Sequence, residues 1–207
     1  MTEPTGFSQH SIQDFLAELA SKSPAPGGGA AAPICAAVAS ALANMVVAYS
    51  VGRKSLAQHQ PAHEKAREDL HSAARRFLAL AERDAAAYAR LNDLQRLDRA
   101  DPKRAGMGDA LRDAIDAPMG VIRLCVETLE LGRELAPISN PWLLSDLGIA
   151  AVLLEASARA SRWNVAVNAR AMNEEGLGGD EALREADGLL ARARDLLGEV
   201  ERACRAP

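Results

Sequence analysis

The chain has 207 residues, of which 43 are alanine, 19 are valine, isoleucine or threonine, and only seven are aromatic. Alanine loses no side-chain freedom in a helix, whereas strands favour β-branched and aromatic residues. The composition therefore predicts an all-α protein and argues against a β-sandwich. A net charge of −4 without an isolated basic run argues against nucleic acid as a partner. The length fits one domain over residues 1–207 with a core of its own.

Six helices are predicted in a single-domain bundle. The first covers Ser11–Ser21, with a serine at its N-cap position. Residues 23–29 are predicted to be non-helical because proline and glycine break a helix. The second helix then begins at Ala30 or Pro33 and ends near Val51. The other four are predicted over Pro61–Asp93, Asp109–Leu135 with a bend or interruption at Pro118, Asn140–Met172, and Asp180–Cys204.

The second predicted helix lies in a stretch, residues 23–52, that carries no charge. Ala30–Val51 is long enough to span a bilayer, but alanine dominates it and it contains Ser40, Asn44 and Ser50, so no membrane contact is expected. A helix that is apolar on all sides is instead one buried inside a protein or an oligomer interface. We therefore expect it at the centre of the subunit or in a dimer contact.

No metal site is predicted. His59 and His63 are four residues apart, but Pro61 lies between them and argues against a regular helical turn across the pair. The three cysteines show no metal-binding spacing, and their odd number fits a reducing, cytoplasmic setting.

Asp84 interrupts the apolar stripe of the third predicted helix. It lies seven residues after Phe77 and four before Tyr88, on the same helical face. A carboxylate on an apolar face must be paired, neutralised or functional, and desolvation raises its pKa toward the range useful for acid–base chemistry. The alternatives are a structural ion pair with an arginine and a place at the exposed edge of the stripe.

The fifth predicted helix carries a polar stripe, without lysine, arginine or glutamate, beside its apolar one. Asp146 and Asn164 are 18 residues apart, which is five whole turns, so their side chains leave the helix in the same direction. Ser157 and Asn168 lie close to the same line. Such a stripe is typical of a helix that lines a polar pocket, and a plain solvated face is the alternative.

A glycine run precedes the second predicted helix. Gly27, Gly28 and Gly29 allow a ligand to approach the backbone, and a helix N-terminus presents free N–H groups to anions or carbonyl oxygens. No predicted strand precedes the run, so it is not a nucleotide-binding loop. A simple helix-entry loop is an equally good interpretation.

Taken in order, these features resemble the cyclodeaminase/cyclohydrolase family of folate enzymes over residues 12–200. The matching motifs are Ser23-x-x-Pro26-Gly27-Gly28-Gly29 followed by an uncharged helix ending Val51-Gly52-Arg53-Lys54, Glu82-Arg83-Asp84-Ala85-x-Ala87-Tyr88, Asn140-x-x-x-x-Ser145-Asp146-x-Gly148-x-Ala150, and Asn164-Val165-x-Val167-Asn168. The resemblance implies an all-helical homodimer that binds a tetrahydrofolate derivative. It also implies that Asp84 is the catalytic residue.

The activity implied by the resemblance is hydrolysis of 5,10-methenyltetrahydrofolate to 10-formyltetrahydrofolate. The reactive carbon is already cationic, so no cofactor beyond the folate substrate is expected. The chain has no transferase domain, which favours this reaction over the alternative, a formiminotetrahydrofolate cyclodeaminase that releases ammonia. A third possibility, motivated by departures from the family at residues 53–56 and 96–102, is a non-catalytic folate-binding dimer. The expected substrate-binding residues are Gly27, Gly28, Gly29, Arg53, Lys54, Ser145, Asp146, Asn164 and Asn168.

Overall fold

The computed structural model describes residues 6–205, and within that range it contains six α-helices and no strand. Short 3-10 turns flank or connect several of them. The all-α prediction is therefore confirmed. The helices are α1 (Ile12–Leu19), α2 (Gly28–Ala48), α3 (Gln60–Gln95), α4 (Met107–Leu135), α5 (Leu144–Glu174) and α6 (Asp180–Arg205).

Local signals in the sequence account for several of the helix starts. Ser11 caps α1 by accepting a hydrogen bond from the backbone N–H of Asp14 at 3.1 Å. Pro61 lies in the first turn of α3, where its missing N–H has no partner to lose. Asn140 accepts from the N–H of Trp142 and so begins the short turn that leads into α5.

Four long helices form a ring around the core. α2 packs on α3 and α5, and α4 closes the ring between α3 and α5, while α6 covers α4 and α5 from outside. The core consists of leucine, valine and many alanines, which let neighbouring helix axes approach closely. The predicted apolar stripe of α5 is buried throughout; its members are Leu147, Ala151, Leu154, Ala158 and Val165.

Two predicted helix boundaries are wrong. α2 begins at Gly28 with Gly27 as its N-cap residue, so Gly28 and Gly29 are helical rather than part of a loop. Glycine destabilises the middle of a helix because it loses more backbone freedom than other residues. Gly28 and Gly29 occupy only the first turn of α2. The predicted interruption at Pro118 is also wrong, because α4 continues through this buried residue.

α2 is buried on one side only. Ten of its 21 residues are buried, including Ala36 and Ala37, whereas Leu42 and Met45 are only partly covered and Val38 is exposed. By length and composition α2 and α5 are both apolar enough to cross a membrane, and 56% of the α2 segment is already buried in the fold. The prediction that this helix lies at the centre of the subunit or in a dimer contact is confirmed for the inner face of α2, and for its outer face it stays a prediction.

α2 and α5 run in opposite directions. The C-terminal end of α2 is fixed to the start of α5 because the Ser50 hydroxyl accepts a hydrogen bond from the backbone N–H of Asn140 at 2.9 Å. Nearby, the buried His63 places its Nε2 2.9 Å from the carbonyl oxygen of Ile138. The opposite end of the bundle, where α2 begins, contains the largest concentration of candidate functional groups.

Candidate active site

A cavity of about 280 Å³ opens where α2 begins. Four of the long helices contribute to its wall, together with the loop before α2. Its lining residues are Pro24, Ala25, Gly27, Gly28, Gly29, Ala30, Asp84, Ala85, Tyr88, Leu91, Ala114, Asn164, Val167 and Asn168. The lining is apolar apart from a small number of polar groups, as is usual for small-molecule sites.

Asp84 is the acidic group of this cavity. Within residues 6–205 its carboxylate forms no ion pair and no side-chain hydrogen bond, so a structural pair with an arginine does not explain its position. Burial raises the pKa of Asp84 from 3.8 to about 6, because desolvation disfavours the charged form. A carboxylate with this pKa is mostly ionised at neutral pH and still basic enough to accept a proton.

Gly29 allows the Asp84 carboxylate to lie against the first turn of α2. A β-carbon placed on Gly29 would lie 1.8 Å from Oδ2 of Asp84, a distance at which no two such atoms coexist. The N–H groups of Ala30 and Ala31 both bond to the carbonyl of Gly27. The N–H groups of Gly28 and Gly29 precede the intrahelical ladder and face the cavity end.

Two amides from α5 complete the polar part of the wall. The side-chain nitrogen of Asn168 donates to the backbone carbonyl of Ala114 on α4 at 2.7 Å, which fixes the orientation of its amide. Asn164 lies one turn earlier on the same side of the cavity. Tyr88 also lines the cavity, one turn after Asp84. It lies on the apolar stripe of α3, and its spacing of four residues from Asp84 places both side chains on the same helical face.

The other predicted substrate-binding residues lie elsewhere in the chain. Arg53 and Lys54 follow the C-terminal end of α2, about 30 Å from Gly28 at the 1.5 Å rise of a helix. Ser145 and Asp146 lie at the start of α5, at that same end of the bundle. Within one chain the predicted substrate-binding residues therefore form two separate groups. The glycines before and in α2, together with Asn164 and Asn168, line the cavity. The other group lies at the opposite end of the bundle.

Comparison with known proteins places the chain in a family. A family model described as formiminotransferase-cyclodeaminase matches residues 11–182. The chain belongs to the formiminotransferase-cyclodeaminase family. The resemblance to folate cyclodeaminases and cyclohydrolases inferred from the motifs is thereby confirmed.

Family members of known activity differ in length. A methenyltetrahydrofolate cyclohydrolase from Methylorubrum extorquens is 31% identical over 187 residues, which cover 88% of this chain and 89% of that protein. A formimidoyltransferase-cyclodeaminase from Mus musculus is 28% identical over 170 residues, and the match spans only 31% of its length. The crystal structure of a formiminotetrahydrofolate cyclodeaminase from Thermotoga maritima superposes with a TM-score of 0.87 at 26% identity, covering 95% of this chain and 96% of that one.

The polar groups of the cavity are a carboxylate, two amides and helix backbone. Across residues 6–205 no three histidine, cysteine or acidic side chains lie close enough together to hold a metal ion. Ser157, predicted near the polar stripe, is buried and donates to the carbonyl of Leu153 in its own helix, so it does not contact the cavity. The chemistry available in the cavity is therefore proton transfer and hydrogen bonding.

Proposed function

We propose that this family member hydrolyses 5,10-methenyltetrahydrofolate to 10-formyltetrahydrofolate. The observation that carries the proposal is the unpaired Asp84 carboxylate, whose pKa is raised to about 6, at the wall of an otherwise uncharged cavity. The mutual coverage of nearly nine-tenths with the M. extorquens cyclohydrolase supports this choice.

In this mechanism Asp84 acts as the general base. Its carboxylate accepts a proton from water as the water oxygen bonds to the cationic methenyl carbon. The bond between that carbon and the N5 nitrogen then breaks as the added hydroxyl loses its proton to solvent and becomes the formyl carbonyl, and the proton held by Asp84 is delivered to N5. Net consumption of one water and release of one proton give the 10-formyl product. A positioned base of this kind contributes roughly 10²- to 10⁴-fold to a rate.

The remaining cavity groups hold the flat pterin ring. Asn164 and Asn168 each offer a donor and an acceptor, which matches the mixed hydrogen-bonding edge of a pterin. Small side chains such as Ala85 and Ala114 leave a gap that a planar ring fills. The positive end of α2 at Gly28 and Gly29 favours a carbonyl oxygen. The reaction then requires no cofactor beyond its folate substrate.

The alternative reaction uses the same residues on a different substrate. In a cyclodeaminase the N10 nitrogen of 5-formiminotetrahydrofolate attacks the formimino carbon, and ammonia leaves as the five-membered ring closes. Asp84 would move the proton from N10 to the departing nitrogen, and a second proton, taken up by that nitrogen from solvent, completes the ammonia and leaves the methenyl product as a cation. The similarity to the T. maritima and mouse proteins supports this alternative.

The deciding experiment follows the loss of methenyltetrahydrofolate absorbance and, in parallel, the release of ammonia from the formimino substrate. We expect the wild type to accelerate the first, and Asp84→Asn to lower that rate by about 10²-fold or more. Asp93→Asn, an exposed aspartate on the same helix, is the matched control and should retain full activity. Background rates for both substrates in the wild type would instead indicate a non-catalytic folate-binding protein.

We further propose that the protein works as a cytoplasmic homodimer, without nucleic acid or membrane as a partner. The exposed outer sides of α2 and α5 support self-association, because their apolar residues are unusual on a free surface. Val38→Glu combined with Ile149→Glu should convert the dimer to a monomer in light scattering. Lys103→Glu, a substitution on a distant turn, should leave the dimer intact.

A further inference from the structure

The proposed hydrolysis removes both hydrogens from the attacking water, and Asp84 accepts only the first of them. That first proton passes to the carboxylate and then to N5 of the substrate. The second stays on the added hydroxyl until the bond from the methenyl carbon to N5 breaks and the formyl carbonyl forms. It must then leave the cavity for solvent. A side chain in the cavity wall that accepts this second proton and passes it outward gives it a defined path.

Tyr88 carries the only hydroxyl among the described residues that line the cavity. The other polar side chains of the lining are those of Asp84, Asn164 and Asn168. A hydroxyl both donates and accepts hydrogen bonds, so it can receive one proton while it gives up another. The oxygen of a carboxamide is too weak a base to carry a proton, so the two asparagines can bind and orient but not relay. Tyr88 is therefore the second side chain of this lining that can transfer a proton.

Tyr88 lies directly beside Asp84 on α3. Their spacing of four residues places the two β-carbons about 5–6 Å apart on one helical face. Side chains of a helix lean toward its N-terminus, so Tyr88 covers the turn that contains Asp84. Because each O–H···O hydrogen bond spans about 2.7–2.8 Å, one water molecule bonds to both side chains when their oxygens are about 5 Å apart. The spacing therefore suits a water held between the carboxylate and the phenol.

The Tyr88 hydroxyl is also free and within reach of solvent. Across residues 6–205 no protein group forms a hydrogen bond with it, so no protein partner competes for either its proton or its lone pairs. The side chain is 45% exposed, whereas Asp84 is only partly exposed and Leu91, one turn further along the same wall, is buried. Tyr88 thus borders the cavity on one side and bulk water on the other.

We propose that the Tyr88 hydroxyl is a second catalytic group, which holds the free hydrogen of the attacking water and relays that proton to solvent. The water donates one O–H to the Asp84 carboxylate and the other to the Tyr88 oxygen, so that an oxygen lone pair is left for the methenyl carbon. The new carbon–oxygen bond forms as Asp84 takes the first proton. This inference rests on the proposed function and adds a residue to its mechanism.

The relay step leaves Tyr88 unchanged. As the bond between the carbon and N5 breaks, N5 receives the proton held by Asp84, and the added hydroxyl becomes the formyl carbonyl. The Tyr88 oxygen accepts the proton of that hydroxyl while its own proton passes to a solvent water. One water is consumed and one proton is released, and both side chains return to their starting protonation states.

Tyr88→Phe tests the relay because it removes the hydroxyl and keeps the ring. In the assay of methenyltetrahydrofolate absorbance at pH 7 we expect kcat to fall about tenfold. KM should change by less than about twofold, since the hydroxyl acts in the transition state rather than in substrate binding. Tyr49→Phe is the matched control, because Tyr49 is the other tyrosine of the chain, is 63% exposed and does not line the cavity. It should keep the wild-type values.

Two outcomes of this assay contradict the proposal in different ways. An active wild type with an equally active Tyr88→Phe overturns the relay and leaves the proposed function standing. A wild type that only matches the enzyme-free rate refutes the proposed function, and the relay with it. Circular dichroism and urea unfolding of both phenylalanine variants establish that each folds like the wild type.

Buffer rescue separates a proton relay from a structural effect of the hydroxyl. Imidazole is a small acid–base pair that can take over a relay lost at the solvent-exposed position 88. At constant pH and ionic strength, after subtraction of the enzyme-free rate at each concentration, the rate of Tyr88→Phe should rise with imidazole toward that of the wild type. The wild-type rate should stay level. A lowered rate of Tyr88→Phe that imidazole does not raise assigns the loss to packing or substrate orientation and overturns the relay.

Discussion

Asp84→Asn is predicted to lower turnover by about 10²-fold or more and, at the same time, to stabilise the folded protein at neutral pH. Burial raises the pKa of Asp84 from 3.8 to about 6. Since each pKa unit corresponds to about 1.4 kcal/mol, the ionised carboxylate destabilises the folded state by about 3 kcal/mol at pH 7. An asparagine side chain has nearly the same shape and no charge to desolvate, so it removes most of this cost.

The predicted gain in stability depends on pH in a defined direction. In the unfolded chain Asp84 loses its proton near pH 3.8, but in the folded chain it does so near pH 6. Between these values the folded state holds a proton that the unfolded state has lost, so wild-type stability falls as the pH rises through this window. The advantage of Asp84→Asn is therefore fully present above pH 6 and disappears below pH 3.8.

Urea unfolding at pH 7 and at pH 3.5, analysed by linear extrapolation, measures both halves of the prediction. Asp93→Asn serves as the control, because Asp93 is exposed and its loss should change the free energy of unfolding by less than about 0.5 kcal/mol. An equal gain at both pH values would trace the effect to packing rather than to charge. No gain at pH 7 would refute the argument that Asp84 is desolvated, and with it the reason for its raised pKa.

Three further outcomes follow from the geometry. Gly29→Ala should lower kcat/KM by about tenfold or more, since its β-carbon displaces the Asp84 carboxylate, whereas Gly188→Ala meets no atom within 4 Å and should keep full activity. The rate that depends on Asp84, measured as wild type minus Asp84→Asn, should fall tenfold per pH unit below about pH 6 and level off above it. A level profile from pH 5 to pH 8 would remove the general-base role. Gly179→Ala places a β-carbon 2.1 Å from the carbonyl oxygen of Ala169 and should destabilise the fold by about 2 kcal/mol in urea unfolding. A change of the size seen for Gly188→Ala would contradict that contact.

The helices were predictable because their signals are local. A serine cap at Ser11, a first-turn proline at Pro61 and apolar spacings of three and four each act over one or two turns of chain. The errors have equally local causes. Glycine and proline lower the intrinsic preference for helix, but at Pro118 the surrounding helices bury the segment and packing outweighs that preference. At the start of α2 the exposed Gly28 and half-buried Gly29 form a first turn that leads directly into the buried Ala30.

Part of the site was visible in the sequence for a related reason. Asp84 stood out because a carboxylate on an apolar stripe is costly to bury, and the structure places it, unpaired, in the cavity wall. The contact between Asp84 and Gly29 was not visible, since 55 residues separate them and no local pattern links the first turn of α2 to the later half of α3.

The amino-acid sequence by itself determined the helices, the apolar faces they bury and the carboxylate, Asp84, that interrupts the apolar face of α3. Only the tertiary structure decided which of the polar residues share a site. Asp146 and Asn164 leave α5 in the same direction, but direction on a helix says nothing about distance along it, and they lie about 27 Å apart. The antiparallel packing of α2 and α5 places Asn164 with Asp84 and places Asp146 at the end that Arg53 follows. Proximity in a helical bundle is set by how whole helices align, which no short-range pattern encodes.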